Sequence, residues 1–200
     1  MSPKTVMNPP DRESGTTPAN APIHSIALVG NPNSGKSSLF NRLTGAHQKV
    51  ANYAGVTVEK KEGDCILPSG STLHVTDLPG IYSLTPLTQD ETVTRQALLG
   101  ESGETPVDLI VFVADATNLR RSMKLLLDVI ALGHPIVLAL NMADLARKSG
   151  QIIYMDRLQT ELGIPVIETV AIDSDGIGPL LAWLDQAVHD TGLTSRATHS

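Results

Sequence analysis

Gly30-Asn31-Pro32-Asn33-Ser34-Gly35-Lys36-Ser37 decides the fold of this chain. The stretch meets every fixed position of G-x-x-x-x-G-K-S/T. It follows the apolar run Ile26-Ala27-Leu28-Val29 and precedes the helical pattern Ser38-Leu39-Phe40-Asn41-Arg42-Leu43. Strand, loop and helix therefore come in the order a phosphate-binding loop requires. Successive backbone N–H groups and the positive end of the helix wrap a polyphosphate, and Gly30 and Gly35 permit turns that a Cβ would obstruct. Lys36 is expected to reach the β- and γ-phosphates, and the Ser37 hydroxyl to ligate Mg²⁺.

From Ile23 onward, strand and helix patterns alternate. Ile23–Val29 reads as the first strand and Lys36–Thr44 as the helix behind the phosphate loop. The polar stretch from Gly45 to Gly55 reads as a long loop, a kind that is usually functional. Val56–Leu67 and Thr72–Thr76 form a hairpin around Pro68-Ser69-Gly70. Asp90–Leu99 is helical, Val107–Ala114 a buried strand, Leu119–Leu132 an amphipathic helix and Ile136–Leu140 another buried strand. Asp156–Leu162, Pro165–Val170 and Ile177–Val188 close the chain as helix, strand and helix. The expectation is an α/β P-loop NTPase fold of the Ras-like, translation-factor type. Its sheet is mostly parallel and six-stranded with one antiparallel hairpin, and helices cover both faces. The domain spans residues 23–190. Residues 1–22, rich in Pro, Ser, Thr and Asn, read as a disordered tail, and residues 191–200 as a flexible end.

Composition narrows the class. Two hundred residues with 41% apolar content suit one domain with a sizeable core. A net charge of −6 argues against a general nucleic-acid binder, so a polyanion must be held by local backbone donors and a few lysines. The single cysteine, Cys65, permits no internal disulfide and fits a reducing cytosol, where it reads as a small buried apolar residue. The six histidines show no metal-ligand spacing, and no apolar run approaches a membrane span.

Four further landmarks fall in order. Asp77-Leu78-Pro79-Gly80 ends the third strand, where Asp77 can hold Mg²⁺ through water and the Gly80 N–H can sense a γ-phosphate. Asn141-Met142-Ala143-Asp144 follows a buried strand. Its spacing sets the Asp144 carboxylate against the N1 and N2 donors of guanine, a pair adenine lacks, which favours GTP and GDP over ATP. Met142 supplies apolar packing where such folds usually place Lys. Thr169-Val170-Ala171-Ile172 ends the last strand, where a backbone N–H contacts the guanine carbonyl. Its departure from Ser-Ala-Lys, beside the polar Asp173-Ser174-Asp175-Gly176, suggests weak base clamping and fast release. Gly55-Val56-Thr57 lies in the long loop, with Thr57 the candidate third Mg²⁺ ligand, ordered by the triphosphate.

With these segments placed, the chain resembles the N-terminal GTPase domain of the ferrous iron transport protein B (FeoB) family. The resemblance is carried by GNPNSGKSSLFN from Gly30, NYAGVTVEKKEG from Asn52, DLPGIYSL from Asp77, DATNLRRS from Asp115, LALNMAD from Leu138 and LGIPVIETVA from Leu162. It implies a slow, Mg²⁺-dependent GTPase stimulated by K⁺, with Asn33 helping to hold the potassium ion. It also implies a membrane-embedded iron-transporting partner portion, a cytoplasmic location at the inner face of the bacterial membrane, and self-association through the switch region. Catalysis would rest on Lys36, Asn33, Thr57 and Gly80, because Ile81 stands where Ras-like enzymes carry a water-orienting Gln. Tyr53-Ala54 replaces a common Trp-Pro pair of relatives. Two alternatives stay open: a nucleotide-dependent interaction module with negligible turnover, and a ribosome- or tRNA-directed GTPase.

Overall fold

A computed structural model describes residues 23–101 and 107–189. The expectations for residues 1–22, 102–106 and 190–200 lie outside the described residues. One seven-stranded sheet runs in the order β2-β3-β4-β1-β5-β6-β7. Its strands are β1 (Ser25–Gly30), β2 (Gln48–Asn52), β3 (Glu59–Ile66), β4 (Thr72–Asp77), β5 (Leu109–Asp115), β6 (Ile136–Asn141) and β7 (Val166–Glu168). The helices are α1 (Lys36–Thr44), α2 (Gln89–Leu99), α3 (Leu119–Ile130), α4 (Ala143–Lys148), α5 (Met155–Leu162) and α6 (Gly178–His189).

β4, β1, β5, β6 and β7 pair in parallel, while β3 pairs antiparallel with both β2 and β4. The expected α/β class, mostly parallel sheet and hairpin are therefore present. The count is corrected from six strands to seven. β2 lies inside the stretch read as a loop, and all five of its residues are exposed, so no apolar alternation marks it. What makes it a strand is backbone pairing with β3, from Gln48 opposite Gly63 to Asn52 opposite Glu59. Among the described residues α4 is a second addition: six residues long, it is too short to show helical periodicity.

The central strands are apolar on both sides and split their side chains by period two. Ala27 and Val29 of β1, Ile110, Phe112 and Ala114 of β5, and Leu138 and Leu140 of β6 face one core. There they meet Val93 and Leu98 of α2 and Leu125, Leu126 and Val129 of α3. Ile26 and Leu28, Val111 and Val113, and Val137 and Ala139 face the other. Their partners are Leu39, Phe40 and Leu43 of α1 and Leu180 and Leu184 of α6. Cys65 is buried in this second core, and burial pushes its thiol up to about 11, so it behaves as an apolar residue. Helices on both faces leave only the carboxyl edge of the parallel strands free to build a site.

Candidate functional site

Residues 31–35 turn the end of β1 into the start of α1, and buried contacts shape that turn. A Cβ on Gly30 would run into the Val113 carbonyl of β5, and one on Gly35 into the Asn141 amide. Gly35 and Asn33 both take left-handed backbone, with φ of 84° and 66°. Ser34 N–H donates to the Asn31 carbonyl (3.3 Å) and Leu39 N–H to that of Gly35 (2.9 Å), which closes the turn into the helix. Gly35→Ala is expected to destabilise the fold by about 2–4 kcal/mol. That sum combines left-handed backbone strain with displacement of a buried amide, and a urea midpoint measures it.

Across the loop, Asp77 at the end of β4 forms a buried ion pair with Lys36 and accepts a hydrogen bond from Ser37 Oγ at 3.4 Å. Gly80 lies against Pro32, where a Cβ would stand 3.2 Å from the Pro32 Cα. Ile81 is clamped at both ends: its N–H donates to the Gly30 carbonyl (3.1 Å) and its carbonyl accepts from Asn31 Nδ2 (3.0 Å). Thr94 of α2 holds the Pro79 carbonyl from below (3.2 Å). Two adjoining cavities open here. One, of about 440 Å³, is lined by Asn31, Pro32, Asn33, Gly35, Lys36, Ser37, Ser38, Gly80 and Asp90. The other, of about 220 Å³, adds Val58, Glu59, Lys61, Asp77, Leu78 and Pro79.

Asn141 joins this phosphate side to the candidate base side. Its Nδ2 donates to the Ser34 carbonyl (3.1 Å), and its Oδ1 accepts from Ala171 N–H (3.0 Å) and Thr169 Oγ1 (3.4 Å). Met142 is left-handed (φ 60°), a strained state for a non-glycine residue that costs about 1–2 kcal/mol. That backbone leaves its Cε 3.4 Å from where a Gly35 Cβ would sit, so the thioether caps the loop. Asp144, in the first turn of α4, pairs with Lys148 at 3.2 Å. The loop from Val170 to Gly176 closes on itself through Val170 N–H to the Gly176 carbonyl (2.8 Å).

Thus the phosphate loop, Asp77–Gly80, Asn141–Asp144 and Val170–Ile172 gather along one sheet edge. The Gly55–Thr57 segment does not join them. Thr57 is exposed and lines neither cavity, while Val56, with Tyr53 and Ala54, lines a separate cavity of about 340 Å³ against α2. The donor set fits a divalent cation at Ser37 and Asp77, two oxygen ligands already within hydrogen-bond reach of each other. Asn33 lines the adjoining cavity, and its amide carries an oxygen of the kind that suits a monovalent cation. Sequence reading named Thr169 only as part of the stretch that ends the last strand, and did not single out the Asn31 clamp on Ile81, Asp90 as a lining residue, or Arg42. Arg42 of α1 donates to the carbonyls of Ala171 and Ile172 (Nε 3.5 Å, Nη2 3.1 Å).

A family model described as Ferrous iron transport protein B matches residues 24–184. The Fe(2+) transporter FeoB of Salmonella typhimurium is 44% identical over 161 residues, covering 80% of this chain and 21% of that protein. The chain thus spans about a fifth of the length of such curated relatives. Among solved structures, the G domain of the T. maritima FeoB iron transporter superposes with a TM-score of 0.73 at 40% identity, covering 84% of this chain and 98% of that one. The cytosolic domain of the same T. maritima protein in its GMPPNP form gives 0.75 at 42% identity, over 84% and 63% of the two chains. A mutant of S. thermophilus NFeoB bound to mGDP gives 0.76 at 40% identity, over 89% and 64%.

Proposed function

The chain belongs to the ferrous iron transport protein B family, and on that premise we propose that it binds GTP and hydrolyses it slowly to GDP and phosphate. The observation that carries the reading is the Asn141 side chain. It ties the phosphate loop at Ser34 to the base-contacting segment at Ala171, so one residue sets the spacing between phosphate and base.

In this reading Lys36 leaves Asp77 for the β- and γ-phosphates, the loop N–H groups hold the β-phosphate, and Gly80 N–H points to the γ-phosphate. Asp144 accepts from guanine N1 and N2, Ala171 N–H reaches the base carbonyl, and Met142 and Ile172 pack beside the ring. Ser37, Asp77 and Thr57 would hold Mg²⁺ and Asn33 would hold K⁺, ions that when bound neutralise charge developing on the phosphates. Gly55, Val56 and Thr57 must swing inward from their present place, a change of the order–disorder kind that makes a triphosphate sensor. Ile81, buried and clamped, has no group to orient water; that task falls to switch-loop backbone, and turnover is slow. Water attacks the γ-phosphorus, the bond to the β–γ bridging oxygen breaks, and GDP leaves with the electron pair.

Among the described residues no helix is long and apolar enough to cross a membrane. We assign the chain to the cytoplasmic side of a longer ferrous-iron transporter, at the inner face of the bacterial membrane, whose transport it regulates through the bound nucleotide. Hydrolysis measured in KCl and in NaCl tests the reading. The expected result is a rate at least roughly tenfold higher in KCl, with the difference lost in Asn33→Ala. Equal rates in both salts remove the potassium role. GTP that stays intact for hours in a single-turnover assay favours a binding module without turnover, the reading to which the missing water-orienting side chain at Ile81 lends some weight.

A further inference from the structure

We infer that Arg42 is a positioning residue for the guanine-contacting loop, a strut from the phosphate-loop helix that sets how fast nucleotide is released. The inference rests on the guanine-nucleotide reading of the site. Arg42 sits in the last turn of α1, whose first residue is Lys36. A cation there commonly faces its own helix's terminal carbonyls. This one instead donates to Ala171 and Ile172, 129 and 130 residues away in the chain.

What else holds that loop explains why the strut matters. Ala171 is gripped from opposite sides, its N–H by Asn141 and its carbonyl by Arg42. The hydrogen bonds from Asp173 N–H to the Val170 carbonyl and from Val170 N–H to the Gly176 carbonyl shape the loop internally without fastening it to the rest of the domain. Ile172 is 76% exposed, so its side chain contributes little anchoring. The flat guanidinium fork reaches two successive carbonyls, a geometry a lysine ammonium cannot reproduce. Through it the loop that meets the base is attached to the helix that meets the phosphates. The departure from Ser-Ala-Lys thus has a substitute: backbone held from outside by an arginine.

Stopped-flow release of a fluorescent GDP from the 200-residue chain tests this. Arg42→Ala is expected to speed release roughly five- to tenfold, the effect of losing one exposed charge-assisted contact, while the association rate stays unchanged. Arg42→Lys should fall between the two. Because Arg42 is exposed, the unfolding temperature should barely move, which separates positioning from loss of fold. Unchanged release in Arg42→Ala, with wild-type binding intact, overturns the inference alone. Faster release accompanied by an equal fall in association rate and a lowered unfolding temperature also overturns it. A wild-type chain that binds no GDP overturns both the inference and the guanine reading beneath it.

Discussion

Lys36→Ala is expected to lower GTP affinity at least about a hundredfold, because the charge-assisted contacts to the β- and γ-phosphates go with the ammonium. A second effect follows from the partner that Lys36 holds within the domain. Lys36 and Asp77 form a buried ion pair, and removing one partner strands the other in a low-dielectric setting. The apo fold should therefore lose about 3–5 kcal/mol as well. The two effects separate in the double variant Lys36→Ala/Asp77→Ala. With both charges gone, most of the lost stability should return in a urea titration, while GTP affinity measured by calorimetry stays as low as in the single variant. A double variant as unstable as the single would show that Asp77 has another demand on its surroundings.

Asp144→Asn is expected to exchange guanine for xanthine preference. The carboxylate accepts two donors from guanine; an amide presents one acceptor and one donor, which matches xanthine, with its carbonyl at that position. GTP affinity should fall on the order of a hundredfold and XTP affinity should rise correspondingly. The present partner of Asp144 is the exposed Lys148, so the lost ion pair costs little and the unfolding temperature should hold. Competition of GTP and XTP against one fluorescent nucleotide reads the result, and unaltered binding of both would remove the base-site assignment.

The phosphate loop, the Asp77–Gly80 turn and the order of the buried strands were legible because each is written in neighbouring residues. Glycines stand where a Cβ would strike Val113 or Asn141, and apolar runs such as Ile110–Ala114 can only be strands covered on both faces. β2 was not legible. Gln48-Lys49-Val50-Ala51-Asn52 has the composition of a loop, and its extended form depends on a partner strand rather than on its own side chains. α4 was missed because six residues cannot display a period. Arg42 was hidden for a different reason. A basic residue in the last turn of a helix looks the same whether it faces water or two distant carbonyls. Thr57 was legible as a residue type but not as a position: it is exposed, and nothing in its own stretch of sequence says which way the loop lies.

β2 runs directly into the segment that carries Thr57, and among the described residues no strand neighbours the side of it away from β3. None of its five side chains is buried, so it can peel from β3 without opening a void in either core. In the proposed reading the free length ahead of β3 would then grow from residues 53–58, between β2 and β3, to residues 45–58, between α1 and β3, with the buried Tyr53 and Val58 as the two pins that seat it. On the proposed reading, slack for reaching a terminal phosphate would be stored at the rim of the sheet, where releasing it leaves both cores closed.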